Sequence, residues 1–336
     1  MNMAQLISFG VAAAAAQQGG GRILHGLALA HNSPAQFSLA RVNTSTGKAT
    51  TVGPAHKELF GMSDLVTTAH GQLYYLGDTG AGATLVALNL TTGAKICSAH
   101  VDVDEISYVG VGQSLDLDSK SDTLVLSGIH KDNASHVLYR APAKGCGPFT
   151  RVGKFGLADY VPMLHASTLD ADGQRLFVTL ATGESSAAIG IIDLTAGTMH
   201  AVAENIASDM RDSLLCLHWD KLSKPPRVIG VIASQATGLL LHALDPSGNG
   251  TWLAPRALKK VPATWDELGG NGATMSAFDA AKRTLYFLAG HADEKTGANV
   301  LDLAQVDVDS AVVQAAPPLS SVGIAGCDDC LTAITL

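Results

Sequence analysis

A similar turn, which in most copies starts at an asparagine or aspartate and ends at a glycine, recurs along this chain at intervals of about fifty residues. Its clearest copy, Asn-Leu-Thr-Thr-Gly at 89–93, lies between two stretches in which apolar and polar residues alternate. The Asn89 side chain can accept a hydrogen bond from the backbone two residues on, and Gly93 tolerates the positive φ that closes a hairpin. Six such hairpins at one period predict a repeat architecture. Close copies begin at Asn43 and Asp193, and looser ones at Arg140, Asp245 and Asp307.

A second marker, an apolar residue followed by aspartate, occurs once in most of the repeats. Six residues after the aspartate comes a leucine that begins the next strand pattern. Each unit therefore reads as four strands joined by turns, which is the antiparallel blade of a β-propeller. The regular copies are Asp118, Asp170 and Asp279, and the variants are Trp219-Asp220 and Ala69-His70.

The first unit, which begins at Arg22, shows only three strand patterns, and the missing one lies at the other end of the chain, at 330–336. We therefore predict an all-β, six-bladed propeller of four-stranded blades, closed by the C-terminal strand. Closure of the ring removes sheet edges that would otherwise pair with other chains. The propeller is expected to be a single domain over 22–336, preceded by a signal-like or flexible segment over 1–21.

The repeat also resembles known propeller families. The stretch Leu85-Val-Ala-Leu-Asn-Leu-Thr-Thr-Gly93 is similar to the repeat of quinoprotein-type propellers, whose quinone site this sequence does not match. The count of six blades resembles that of gluconolactonase and strictosidine-synthase propellers. Both resemblances imply a fold rather than a site, so no functional residue is carried over from them.

Composition and charge exclude some functions. Of the 336 residues, 15% are charged, the formal net charge is −8, and no basic run is interleaved with aromatic residues. A nucleic-acid partner is therefore not expected, because binding to phosphates needs a basic surface. No apolar run reaches the roughly 18 residues that a transmembrane helix requires. The sequence thus predicts a chain without a transmembrane segment.

Two features favour a secreted or extracellular location. Residues 1–18 contain an apolar run that ends in small residues, as in a secretory signal, although no positive charge precedes it. Four Asn-X-Ser/Thr sequons fall in predicted hairpins or loops and are candidate glycosylation sites. The alternative is that the turn chemistry itself creates the first two sequons. The four are Asn43, Asn89, Asn133 and Asn249.

The five cysteines suggest disulfides more than metal or redox chemistry. Cys327 and Cys330 have the spacing of a redox or zinc half-site, but neither a second pair nor a neighbouring histidine accompanies them. We expect a local disulfide there, before the closing strand. Cys97 and Cys146 lie on adjacent blades, and their pairing is an open possibility. Cys216 is expected to be a buried, inert thiol.

Polar residues also precede the innermost strands, where loops converge on the propeller axis. Carboxylate and amide oxygens at this place could hold Ca²⁺, and a histidine would allow a softer metal. The alternative is a wet axial channel lined by polar side chains, and no cofactor is then required. The residues are Asp64, Gln113, His165, Asp212, Asn271 and Asp328 or Asp329.

The sequence favours a binding or scaffold module over an enzyme. A long insertion at 255–272 precedes the sixth blade, and insertions of this kind often carry function. Its residues Trp265, Asp266 and Glu267 are predicted to contact a protein or carbohydrate ligand on the loop face. The alternative is a metal-dependent hydrolase or lactonase that uses the axial residues. No nucleophile is apparent, and His218 is interpreted as a core histidine.

Overall fold

The structure is a computed structural model. It describes residues 22–30, 36–56, 60–78, 83–101, 114–132, 134–182, 186–203, 213–234, 238–245, 252–265, 276–292, 299–322 and 331–335. Within these ranges the only helical segment is a single 3₁₀ turn, Ala263–Trp265. No helix in this part of the chain has the length and apolar character needed to cross a bilayer.

Six small sheets form the blades of a β-propeller, which confirms the predicted all-β architecture. The first blade holds β1 (Ile23–Ala30), β2 (Gln36–Asn43) and β3 (Lys48–His56). The second holds β4 (Phe60–Ala69), β5 (Gln72–Asp78), β6 (Ala83–Asn89) and β7 (Lys95–His100). The third holds β8 (Ser114–Asp118), β9 (Thr123–Ile129), β10 (His136–Pro142) and β11 (Thr150–Phe155).

The remaining three blades repeat the same order from the inner to the outer strand. The fourth holds β12 (Val161–Asp170), β13 (Arg175–Thr182), β14 (Ser186–Asp193) and β15 (Thr198–Ala203). The fifth holds β16 (Ser213–Asp220), β17 (Arg227–Ser234), β18 (Gly238–Leu244) and β19 (Trp252–Ala257). The sixth holds β20 (Ser276–Asp279), β21 (Thr284–Ala292), β22 (Asn299–Asp307) and β23 (Val312–Ala315).

The C-terminal strand closes the ring, as predicted. Strand β25 (Leu331–Thr335) pairs antiparallel with β1 and becomes the inner strand of the first blade. The sequence did not predict β24 (Ser320–Val322), which pairs in parallel with the outer strand β3. The first sheet therefore has five strands, two of which come from the end of the chain.

The hairpin chemistry that revealed the repeat determines the local backbone. Asn89 Oδ1 accepts hydrogen bonds from the backbone N–H groups of Thr91 (2.8 Å) and Thr92 (3.0 Å), and Gly93 has a φ of +67°. A Cβ on Gly93 would collide with the backbone of Val52 in the first blade. Glycine is thus needed here both for the turn and for the close approach of two blades. Asp193 and Asp307 accept the same two bonds in their own hairpins, and Asn43 accepts the first of them, from Ser45.

The hydrophobic core lies between neighbouring blades. Leu27 and Phe37 of the first blade, for example, pack with Leu73 and Tyr75 of the second, and all four are at most 5% exposed. Each fully buried side chain of this size contributes about 1.5–3 kcal/mol of transfer free energy. The blades therefore stabilise one another through their faces.

A disulfide joins Cys97, on β7 of the second blade, to Cys146, in the β10–β11 turn of the third, with a Cα–Cα distance of 5.8 Å. Cys216 is free and buried, as expected. Its thiol pKa is raised to about 11 by burial, which keeps it protonated and inert. The predicted Cys327–Cys330 bond lies outside the described residues.

We expect removal of the Cys97–Cys146 disulfide to lower the free energy of unfolding by about 4 kcal/mol. The bond closes a loop across a sequence separation of 49, and the loss follows from the greater entropy of the unfolded chain. Denaturant titration of Cys97→Ser and of the Cys97→Ser/Cys146→Ser double variant provides the measurement. Both variants should lose the same amount, because either one removes the cross-link, and an unchanged midpoint would contradict the role assigned to this bond.

Candidate functional site

The aspartates that marked the repeat are structural groups at the ends of the inner strands. All four are at most 3% exposed. Their Oδ1 atoms accept backbone N–H bonds from the turns that follow: Asp170, for example, accepts from Gly173 at 2.9 Å. These bonds fix the turns 119–122, 171–174, 221–226 and 280–283, which form what we name the end face of the propeller. The four aspartates are Asp118, Asp170, Asp220 and Asp279.

Each of these carboxylates is also paired with an arginine. Arg175 Nη2 lies 2.6 Å from Asp170, and Arg140 Nη2 lies 3.5 Å from Asp118. A buried charge is stable only when it is paired and hydrogen-bonded. Burial alone would raise the pKa of Asp118, but hydrogen bonds from Gln174 and Ser121 outweigh burial and lower it. The carboxylate is therefore ionised in the folded protein.

Some of the side chains that contact these aspartates belong to the following blade. The residue immediately before the second strand of a blade makes the contact, for example Gln174, whose Nε2 donates to Asp118 Oδ2 at 3.0 Å. Arg283 contacts Asp220, and Arg22 Nε lies 2.6 Å from Asp279. At the fifth blade this position is Pro226, whose ring cannot make such a contact. Polar contacts between neighbouring blades thus stabilise the end face.

A cleft of about 210 Å³ opens on this face, where the inner strands of the third to sixth blades end. We name it the end-face cleft. Polar and aromatic groups both line it, and the aromatic ones come from the fifth and sixth blades. Its wall includes Asp116, Ser167, Asp172, Trp219, Lys221 and Phe278.

Hydrogen bonds between neighbouring inner strands build the wall of the cleft. Ser167 Oγ donates to Asp116 Oδ2 at 3.3 Å, which links the fourth blade to the third. The Trp219 backbone N–H donates to Thr168 Oγ1 at 2.9 Å, which links the fifth blade to the fourth. Both Asp116 and Ser167 are partly exposed. The cleft therefore presents a carboxylate and a hydroxyl held side by side.

The indole of Trp219 is held by two neighbours in the fourth blade. Phe177 stacks on it with ring centroids 5.5 Å apart and an interplanar angle of 16°. The Arg175 guanidinium lies 5.5 Å from the centroid of the Trp219 ring. Since the backbone N–H is bonded as well, the indole has little freedom to move. It forms a rigid aromatic wall.

One histidine that lines the cleft lies close to a serine. His218 Nε2 and Ser276 Oγ are 2.7 Å apart, a distance typical of a base and its nucleophile. Ser276 is only 4% exposed, however, and burial lowers the pKa of His218 to about 3. The pair is therefore a satisfied core contact, as the sequence indicated for His218.

Only two of the predicted axial metal residues belong to described strands. Asp64 and His165 belong to β4 and β12, but their side chains are not among those described. Gln113, Asp212, Asn271, Asp328 and Asp329 lie outside the described residues. Among the side chains that are described, no group of three or more His, Cys, Asp or Glu residues is arranged to hold a metal ion. The axial site stays a prediction.

The proposed binding loop needs a correction at Trp265. This residue is 3% exposed, its Nε1 donates to Asp302 Oδ2 at 2.9 Å, and its ring contacts Phe287 edge-on at 5.9 Å. It packs in the core of the fifth and sixth blades and does not face a ligand. Asp266 and Glu267 lie outside the described residues, as do the sequons Asn133 and Asn249. Asn43 and Asn89 are partly exposed on their hairpins.

Neither a protein-family model nor a curated protein matches the chain. Solved structures do match. A putative TolB from Agrobacterium tumefaciens is 12% identical, with 89% of this chain and 90% of that chain covered and a TM-score of 0.53. The likeness is one of fold. TolB from Acinetobacter baumannii is 13% identical, with 86% and 62% covered and a TM-score of 0.53. A putative 6-phosphogluconolactonase from Bacteroides fragilis is 11% identical, with 93% and 97% covered and a TM-score of 0.50.

Sequence reasoning missed the residues of the end-face cleft. Asp116 and Ser167 stand two and three positions before a marker aspartate, on the inner strands. Strand alternation alone would place some of these side chains toward the axis. A polar residue just before the aspartate was therefore an available signal.

Proposed function

We propose that this chain is a secreted or surface-displayed propeller module that binds a small polar ligand in the end-face cleft. The observation that carries the proposal is the composition of the cleft wall. A carboxylate and a hydroxyl, Asp116 and Ser167, share a concave site with the rigid indole of Trp219. Binding sites typically combine an apolar wall with a few placed polar groups.

Two features support the location. The Cys97–Cys146 disulfide joins two blades, and structural disulfides persist in oxidising compartments. Asn43 and Asn89 carry sequons on partly exposed hairpins, where a glycan could be accommodated. Both features fit a protein outside the cytoplasm. A protein partner on the loop face, a Ca²⁺ site and a hydrolase or lactonase activity stay predictions from the sequence, because they rest on the side chains of Asp64 and His165 and on residues outside the described ranges.

The test is a ligand screen with a blocked cleft as the comparison. Monosaccharides, amino acids, amines, organic acids and nucleotides are added to the wild-type protein and to Ser167→Trp, whose indole would fill the cleft. A ligand at a hundredfold excess over its Kd should stabilise the wild type by about 2.7 kcal/mol, because it binds only the folded state. Thermal denaturation reports the shift.

The blocked variant should show no shift with the same ligand. Asp116→Ala serves as a second, milder variant, and both must melt cooperatively without ligand. A ligand that stabilises all three proteins equally binds elsewhere and contradicts the proposal. A screen in which no ligand stabilises the wild type contradicts it as well.

A further inference from the structure

We infer that the ligand of the end-face cleft is a single neutral sugar ring that packs against Trp219 and hydrogen-bonds Asp116 and Ser167. This inference rests on the proposed function and names the chemical class of its ligand. Size, hydrogen-bonding capacity, the aromatic wall and charge each bear on it.

The size of the cleft favours a ligand of one ring. Its volume is about 210 Å³. Pockets for drug-sized ligands are larger, roughly 300–1,000 Å³. A longer oligosaccharide would extend beyond the cleft, so the recognised unit is one residue of a glycan or a free monosaccharide.

The polar groups suit hydroxyls in particular. A carboxylate only accepts hydrogen bonds and has about four lone-pair positions, whereas a serine hydroxyl both donates and accepts. Asp116 and Ser167 are held together by their 3.3 Å bond, so neighbouring hydroxyls of a ring could contact both. Because the Ser167 proton is already donated to Asp116, hydroxyls suit this pair as donors: one can donate to the carboxylate and a neighbouring one to the serine oxygen.

The aromatic wall supplies the apolar half of the site. One side of a sugar ring carries mainly C–H groups and gains free energy when it covers an aromatic surface. Trp219 is already fixed by Phe177, by Arg175 and by the bond from its backbone to Thr168. Little side-chain entropy is therefore lost when a ligand packs on it.

The charges around the cleft disfavour ionic ligands. Asp116 and Asp172 would repel an anion, and among the described residues that line the cleft Lys221 is the only one with a positively charged side chain. A cation would compete with Arg175, which already lies 5.5 Å from the Trp219 ring and would repel a second positive charge there. A neutral ligand avoids both penalties.

Titration calorimetry with defined probes tests the inference. D-galactose, D-glucose, D-mannose and N-acetyl-D-glucosamine represent neutral sugars, choline represents cations and citrate represents anions. We expect at least one sugar to bind, with a Kd that changes by less than about twofold between 50 and 500 mM salt, since a neutral ligand is hardly affected by screening. We expect neither choline nor citrate to bind.

Variants identify the site of that binding. Asp116→Asn should weaken the sugar roughly 10- to 100-fold, the usual effect of losing a charged hydrogen-bond acceptor. Asp307→Asn is the matched control: it makes the same charge change on an exposed hairpin and creates no sequon, and asparagine supports the equivalent turns at Asn43 and Asn89. It should leave the Kd unchanged. Trp219→Ala should weaken binding about tenfold or more, and Trp219→Phe is used if that variant does not fold.

The outcomes separate this inference from the proposed function. Binding of choline or citrate that depends on salt and on Asp116, without binding of any sugar, would overturn the sugar assignment and leave the cleft as a binding site. Sugar binding that neither Asp116→Asn nor a Trp219 variant weakens would overturn the assignment to this cleft. A protein that binds none of the probes, and none of the compounds in the wider screen, would overturn both.

Discussion

Deletion of residues 331–336 should lower the free energy of unfolding by roughly 5 kcal/mol, at the upper end of the range for a single change. Strand β25 pairs with β1 through the register Gly26↔Ile334 and Leu27↔Ala333, and it also contacts strands of the second and sixth blades. Its loss would break this ladder, uncover the core between blades and expose β1 as an edge that can pair with other chains. Denaturant unfolding and size-exclusion chromatography provide the measurements.

A permuted chain is the matched control for this deletion. Residues 330–336 are moved to the N-terminus, ahead of Gly19, so that the strand enters the first blade through a short turn, as the inner strands of the other blades do. We expect this chain to recover most of the lost stability and to remain monomeric on the column if the intact chain is. A deletion variant with the midpoint of the intact protein would show that β25 does not close the ring.

Acidification from pH 7 to pH 5 should be the second large effect. Burial lowers the pKa of His136 and of His25 to about 4 and that of His218 to about 3, and Arg41 adds to the effect at His25. In the unfolded chain these histidines have the ordinary pKa of about 6.5. Below pH 6.5 the unfolded state therefore binds more protons than the folded state, and stability falls with pH.

The expected magnitude is about 2 kcal/mol for each histidine over this interval, or roughly 6 kcal/mol if the three contributions add. Most of the decrease in the free energy of unfolding should come between pH 6.5 and pH 4. Urea unfolding at a series of pH values measures this decrease. His136 is the best position for a test substitution. It is 2% exposed and, among the described residues, neither ring nitrogen has a hydrogen-bond partner that a substitution would disrupt.

His136→Leu should remove about 2 kcal/mol of this pH dependence, since one of the buried imidazoles is gone. His100→Leu is the control: that histidine is exposed on β7, and water solvates it in both states. The control should keep the full pH dependence. Equal slopes for His136→Leu and the intact protein would show that burial of this imidazole does not contribute to acid sensitivity.

The fold was predictable because its signal is local and repeated. The turn at Asn89 needs only a side-chain acceptor and a glycine within five residues, and both are visible in the sequence. The missing fourth strand of the first blade likewise pointed to the end of the chain. Strand β24 could not be predicted, because three residues that pair in parallel carry no distinct pattern.

The site was harder to predict, because it depends on contacts between distant parts of the chain. Arg22 and Asp279 are paired although they lie at opposite ends of the sequence. Trp265 looked exposed within a long insertion, yet Asp302 supplies a buried acceptor for its indole N–H. The pattern located the inner strands, but it did not show which of their ends would leave a cavity.

Hydrogen–deuterium exchange tests directly whether the ligand binds in the end-face cleft. The protein is compared with and without a saturating concentration of the ligand that stabilises it best in the screen. We expect slower exchange in 114–122, 167–174 and 216–223, which contain the wall of the end-face cleft. Slower exchange confined to 102–113, 204–212 and 266–275, the segments that precede β8, β16 and β20 in the chain, would contradict a ligand site in the end-face cleft.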